Sequence, residues 1–177
     1  HEFDDVSDMF GADGLEKLSE LDLPESESKA LWMYLEELSL YAEQHKALDA
    51  ELAKIASNDE DCKLLMTIPG VGPFVAVAIK ARIGDIKRFP DKQKLCSYAG
   101  LVPKADDSGE HKSKHNHIKH GDYVLKNALT IAVQGAMRTK KGNSIKRKYM
   151  KAIRRGKAPQ NAEVVAAKKL ADIVWGM

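Results

Sequence analysis

The chain has 177 residues, 44% of them hydrophobic and 6% aromatic, with a formal net charge of +2; one or two modest helical domains with a real core fit these values. They exclude a membrane protein, because no apolar run approaches the roughly 20 residues that span a bilayer. No basic-then-apolar leader is visible and Cys62 and Cys96 stand far apart without ligand spacing, so a reduced, cytoplasmic protein is expected.

The small net charge conceals a division. Residues 1–61 carry four Lys/Arg against eighteen Asp/Glu, a net −14, whereas residues 62–177 carry 24 against eight, a net +16. A basic segment attracts polyanions and releases their counterions; an acidic one is repelled by them. Two parts with different roles are expected, an acidic helical segment over 1–60 and a basic helical domain over 61–177. The chain opens on His1-Glu2 rather than Met, and an upstream portion is expected.

In chain order, residues from about Val6 to Leu21 predict a short helix broken at Gly11 and Gly14. Pro24 punctuates, with Asp22 or Ser26 as caps for the next helix. From Ser28 to Ala56, the residues Leu31, Tyr34, Leu38, Tyr41, His45, Leu48, Leu52 and Ile55 step by alternating threes and fours. That is an a/d seam of period 3.5, with charged residues between. It predicts a helix of about eight turns that either self-associates as a coiled coil or helical hairpin, or packs on its own domain.

Ser57, Asn58 and Asp59 end that helix or begin the next, a short one from Asp61 to Thr67. Helices follow over Phe74 to Ile83, stopped by Gly84, and over Asp91 to Tyr98, ending at Gly100. Leu101 to Gly121 has no apolar period and predicts a long loop of functional importance. Asp122 caps a helix from Tyr123 to about Arg138, with Val124, Leu125, Ala128, Ile131, Ala132 and Gly135 on one face. After a turn at Lys140 to Asn143 comes a basic helix, Ser144 to Arg155, then a last helix begun by Pro159 and Asn161 and reaching Trp175. Val164, Val165, Leu170, Ile173 and Trp175 are expected to close the core. The fold class is all-α, with about eight helices.

The sharpest motif is the stretch from Leu64 through Ile68-Pro69-Gly70-Val71-Gly72-Pro73 to Ala76. It resembles the helix-hairpin-helix motif of DNA repair and recombination proteins. Two glycines let the backbone turn tightly and approach a ligand, and the following helix starts with free N–H groups and a positive dipole end, where a phosphate oxygen fits. Ile68 and Val71 would anchor the turn, Ala76 would let the helices cross closely, and Gly70, Val71 and Gly72 would face the phosphate. Lys80, Arg82, Lys87 and Arg88 are candidates for neighbouring phosphates. A corner without a ligand is the plainer alternative.

Two further segments follow in order: Ile83-Gly84-Asp85-Ile86-Lys87-Arg88-Phe89-Pro90, then Tyr98-Ala99-Gly100-Leu101-Val102-Pro103 with Ser108-Gly109 and Ile118-Lys119-His120-Gly121-Asp122. With the hairpin, they resemble the carboxy-terminal transposase domain of the insertion sequence one-ten/one-sixteen family, over roughly residues 62–138. The resemblance implies an upstream RuvC-like nuclease domain with four acidic residues and Mg²⁺, then a coiled coil, then this domain. It also implies DNA as partner, a bridging RNA guide in some members, and a serine that links covalently to DNA. By position that serine is Ser108; it would attack a phosphodiester, with Lys104, Lys112, Lys114 and Lys119 offsetting the phosphate charge. The chain departs from the family pattern after Gly109, where Glu110, His111 and Lys112 stand in place of a second glycine and arginines. No RuvC-type acidic set is present in these residues, so this portion is expected to bind nucleic acid without transposing it.

His111, His115, His117 and His120 lie among lysines that repel a cation, so no metal site is assigned, and Asp106 and Asp107 read as loop caps. Beyond the loop, Arg138, Lys146, Arg147, Arg154 and Arg155, with Lys140, Lys141, Lys148, Lys151 and Lys157, form a dense basic stretch that predicts contact with a nucleic-acid backbone. Two other readings stay open: a non-catalytic hairpin module that binds DNA, and a scaffold whose acidic helix pairs with itself or a partner.

Overall fold

The computed structural model describes residues 8–102, 121–140 and 142–177. Among them are eight α-helices and one 3₁₀ turn, with no strand. The chain divides into two compact units, one through Ala50 and one from Glu51 to Met177.

The first unit holds α1 (Ala12–Ser19) and most of α2 (Glu25–Ser57). The expected break at Gly14 does not occur: α1 runs through it. A Cβ there would stand 2.3 Å from the Met9 carbonyl oxygen, so the glycine serves close packing rather than helix breaking. Neither Asp22 nor Ser26 caps α2. The helix begins earlier, and the Pro24 carbonyl accepts from the N–H groups of Glu27 and Ser28 at 3.0 and 2.9 Å. Glu25 and Glu27 in the first turn complement the helix dipole and favour the early start. Ala56 is the one buried residue of α2; seam residues such as Tyr34 and Leu48 are 69% and 57% exposed.

The second unit is built around α6 (Tyr123–Arg138), which packs on α4 (Pro73–Ile83), α7 (Ser144–Arg154) and α8 (Pro159–Trp175). Helix α3 (Glu60–Met66) packs on α4, and α5 (Lys92–Tyr98) on α8. Sequence boundaries and caps agree closely here. The side chains of Asp59, Asp91, Asp122 and Asn143 each accept from backbone N–H groups of the helix they precede.

Ile79, Leu95, Leu101, Leu125, Leu129, Ile145 and Leu170 fill the core, each fully buried side chain worth roughly 1.5–3 kcal/mol. Ala162, Ala166, Ala167 and Ala171 keep α8 slim where it meets its neighbours. Two core expectations need correction. The buried stripe of α6 is Leu125, Ala128, Leu129, Ala132, Val133 and Ala136, while Val124 and Ile131 are exposed; packing against α4 on one side and α8 on the other sets a broader stripe than the one predicted. Trp175 lies at the surface end of α8, where its indole N–H donates to the Phe89 carbonyl at 3.0 Å.

Candidate nucleic-acid interface

The turn between α3 and α4 divides its two glycines between different tasks. Gly70 has φ +91°, and a Cβ there would lie 2.2 Å from the Ala132 carbonyl oxygen and 2.3 Å from the Ala136 nitrogen. Its hydrogen lets the turn dock backbone to backbone on α6, opposite Gly135, whose own Cβ would meet the Gly70 oxygen at 2.9 Å. Gly70 is therefore a packing glycine, and the expectation that both glycines face a ligand is corrected. Val71 and Ile68 are buried and anchor the turn as expected. Gly72 has open space around it. As the α4 N-cap it has no side chain to offer, and Pro73 at N1 has no N–H. The N–H groups of Gly72 and Phe74 make no hydrogen bond among the described residues, and Phe74 is 49% exposed. Two free donors and the positive end of a helix of 11 residues thus share an open face.

Of the predicted cations, Arg138 is exposed one turn beyond Gly135 at the end of α6 that the hairpin docks on. The start of α7 is fastened to the same end: the Asn143 side-chain amide donates to the Ala136 carbonyl at 3.0 Å. Arg147, Arg154 and Arg155, with Lys148 and Lys151, form the outward side of α7 and its end, none with a carboxylate partner among the described residues. Lys146 is different. Its ammonium donates to the Met137 and Thr139 carbonyls at 3.1 and 3.2 Å, closing the end of α6 rather than facing solvent.

The other four predicted cations lie toward the far end of α4; Arg82 stands about 15 Å from Gly72 along the helix axis. Lys80 pairs with Asp59, and with Asp61 at 3.0 Å. That pairing lowers the Asp59 carboxyl to about 2 and raises the Lys80 ammonium. Arg82 pairs with Asp122, whose side chain is 4% exposed. The guanidinium holds the Asp122 carboxyl below its ordinary value. Arg88 lies 4.6 Å from the centroids of both the Phe89 and Tyr98 rings and donates to the Arg82 carbonyl at 3.1 Å. Lys87 is exposed. Sequence proximity therefore grouped Lys80, Arg82, Lys87 and Arg88 with a turn from which the length of α4 separates them, and the charges of Lys80 and Arg82 are engaged by internal carboxylates.

Ser108, Lys104, Lys112, Lys114 and Lys119 lie outside the described residues, as do Asp106, Asp107, Lys141 and the four histidines from His111 to His120. The ends of that segment are described. A Cβ on Gly121 would stand 2.3 Å from Gly100 Cα, and the Asp122 N–H donates to the Tyr98 carbonyl at 2.7 Å. The Asp122 carboxylate also accepts from the Tyr98 hydroxyl at 3.2 Å and the Leu125 N–H at 2.8 Å. Among the described residues no group of three or more His, Cys, Asp or Glu is arranged to hold a metal ion. No helix of the described residues is long and apolar enough to cross a membrane.

This geometry defines an all-α protein with an open glycine turn beside a basic helix. The family described as transposase IS116/IS110/IS902 matches residues 62–150, and the chain belongs to it. A transposase for insertion sequence element IS1111A of Coxiella burnetii is 31% identical over 130 residues, 73% of this chain and 36% of that protein. A putative transposase of Sinorhizobium fredii is 31% identical over 157 residues, 86% and 40% of the two chains. An insertion element IS110 protein of Streptomyces coelicolor is 26% identical over 140 residues, 79% and 34%. The chain thus spans only about a third to two fifths of these relatives.

Proposed function

We propose that this chain is the DNA-binding, carboxy-terminal part of an insertion-sequence transposase, and that in the full-length enzyme Ser108 attacks a DNA phosphodiester. The single observation that carries the binding role is the end of α6 where three elements meet. There Gly70 docks the turn, leaving the Gly72 and Phe74 amides free; Arg138 stands at that end and Arg147 in the first turn of α7, with Arg154 and Arg155 about 15 Å from the start of that helix, none with a carboxylate partner among the described residues. Phosphate oxygens accept from the free amides, and the cations neutralise the phosphates that follow, without reading bases.

In the serine step, the Ser108 oxygen forms a bond to phosphorus, its proton leaves to a base, and the 3′ or 5′ oxygen of the broken ester departs. Mg²⁺ chemistry and the RuvC-like acids belong to the upstream portion of the enzyme. The exposed seam of α2 supports self-association over residues 28–56. A bridging RNA would be held by the same backbone contacts.

Binding of a DNA duplex to the 177-residue chain should weaken steeply with salt, and the combined Arg138→Gln, Arg147→Gln, Arg154→Gln variant should lower the slope of log K against log salt by about 0.9 per lost phosphate contact. A slope near zero refutes the binding role. For the catalytic role, Ser108→Ala in the full-length protein should abolish strand transfer and any covalent protein–DNA product. Transfer that survives that substitution favours a hairpin module without serine chemistry.

A further inference from the structure

We propose that a cleft between α5, α7 and α8 is a second nucleic-acid site, holding the sugar-phosphate backbone of a single strand. The proposal deepens the reading above and takes its ligand class from it. The cleft encloses about 590 Å³. Lys92 enters it from α5, Lys148 from α7, and Lys168 and Lys169 from α8. Among the described residues one carboxylate, Asp172, lines it, a local balance of +3.

None of the four lysines forms an ion pair or side-chain hydrogen bond among the described residues, and Asp172, one turn along α8 from Lys168, bridges to neither neighbour. Lys168 and Lys169 are half-buried and have no counter-charge paired with them among the described residues. Two other half-buried cations of this unit do find partners, Lys80 with Asp59 and Lys146 with the end of α6. Four lysines from three helices line this one cleft, which makes it a favourable place for a polyanion.

The remaining lining narrows the ligand. Gln93 and Ser97 supply neutral donors beside Lys92, and Val102 and Val165 supply apolar wall. Among the described residues no aromatic side chain lines the cleft, so they offer bases nothing to stack on and the contact is to the backbone. Grooves between packed helices, whose axes lie about 8–10 Å apart, admit a single strand, whereas a stiff duplex meets only the rim. Val102 is also the last described residue before the segment that carries Ser108, so a strand in the cleft runs beside the root of that segment.

The test titrates the 177-residue chain with oligothymidylate and oligouridylate of about 20 nucleotides and with a duplex of equal length, across a salt series. Combined Lys92→Gln, Lys148→Gln, Lys168→Gln and Lys169→Gln substitutions should weaken both single strands by roughly 30-fold or more and lower their salt slope by about 2 to 3, at about 0.7 per contact. The duplex should lose no more than about 0.9 of slope, the one contact that Lys148, which also belongs to the basic side of α7, supplies there. The fourfold arginine variant should retain binding, because the contact is charge to phosphate; a folded arginine variant that fails to bind overturns the proposal. Unchanged single-strand binding in the glutamine variant overturns it too. If the Arg138, Arg147 and Arg154 variant still weakens duplex binding in that case, the proposed function stands while the cleft falls; if neither variant weakens anything, both fall. Should the fourfold glutamine variant unfold, Lys92→Gln with Lys148→Gln, both exposed, should lower the slope by about 1.4, and no change there also overturns the site.

Discussion

Arg82 and Asp122 stand 40 positions apart in sequence, yet the Arg82 Nε donates to the Asp122 carboxylate at 2.7 Å. With Gly70 docked on Gly135 at the opposite end, this pair fixes α4 antiparallel to α6. The same carboxylate caps α6 through the Leu125 N–H. Asp122→Ala should therefore destabilise the chain by about 1–2 kcal/mol through the lost cap alone, read as a lower midpoint in thermal or denaturant unfolding. Asp122→Asn should recover part of the loss, since asparagine caps nearly as well but attracts Arg82 less. Equal losses in the two variants would contradict the cap, and full recovery in Asp122→Asn would contradict a separate role for the ion pair.

The two glycines of the turn should respond differently to substitution. Gly70→Ala puts a methyl against the backbone of α6 and a side chain at positive φ; overpacking and the left-handed penalty together cost about 3 kcal/mol or more. Gly72→Ala meets nothing within 4 Å and keeps an extended backbone, so its stability should change by less than about 1 kcal/mol. Denaturant melts of the two variants decide the matter, and equal losses would contradict the division of roles.

Acid should loosen the junction of α3 and α4. The Asp59 carboxyl, ordinarily at 3.8, is lowered to about 2 by Lys80. A depressed carboxyl contributes stability that is complete above its unfolded value and lost as pH falls through its folded one. Unfolding midpoints should therefore drop between about pH 4 and pH 2, and Asp59→Asn should remove a part of that dependence while lowering stability at pH 7. An Asp59→Asn profile parallel to that of the parent chain would exclude the Lys80 pairing as a source. Asp122, also held low, contributes in the same direction.

Tyr41 and Leu48 belong to the exposed seam of α2. Replacing both with Glu should shift the sedimentation of the chain from a self-associated species to a monomer while leaving the helical circular dichroism of the second unit intact. A monomeric parent chain at micromolar concentration would argue against the seam as an interface.

Much of this fold was legible in the sequence, because helix ends announce themselves chemically. Asp91 and Asp122 mark two helix starts, Gly84 an end, and Pro159 a start, and the structure has them there. What the sequence hid was tertiary. Gly70 and Gly72 look equivalent in a string of letters, and only the approach of α6 separates them. Lys80, Arg82 and Lys146 look like their basic neighbours, but carboxylates and carbonyls distant in sequence engage them. Lys92 and Lys168 are too far apart in the chain for their shared cleft to be read from spacing. Capping is local chemistry and survives in one dimension; the pairing of charges depends on which faces meet.

The contact of Gly100 with Gly121, sealed by the Asp122 N–H to the Tyr98 carbonyl, brings the two ends of the intervening segment to neighbouring positions on the domain. A segment rooted in that way behaves as a replaceable cassette. Doubling the length of a flexible closed loop costs only about 0.6 kcal/mol, and both roots belong to helices already fastened by Arg82 and Leu95. The close approach of the two roots therefore sets no fixed length on the chain between them, and the helices beneath owe their packing to contacts outside it.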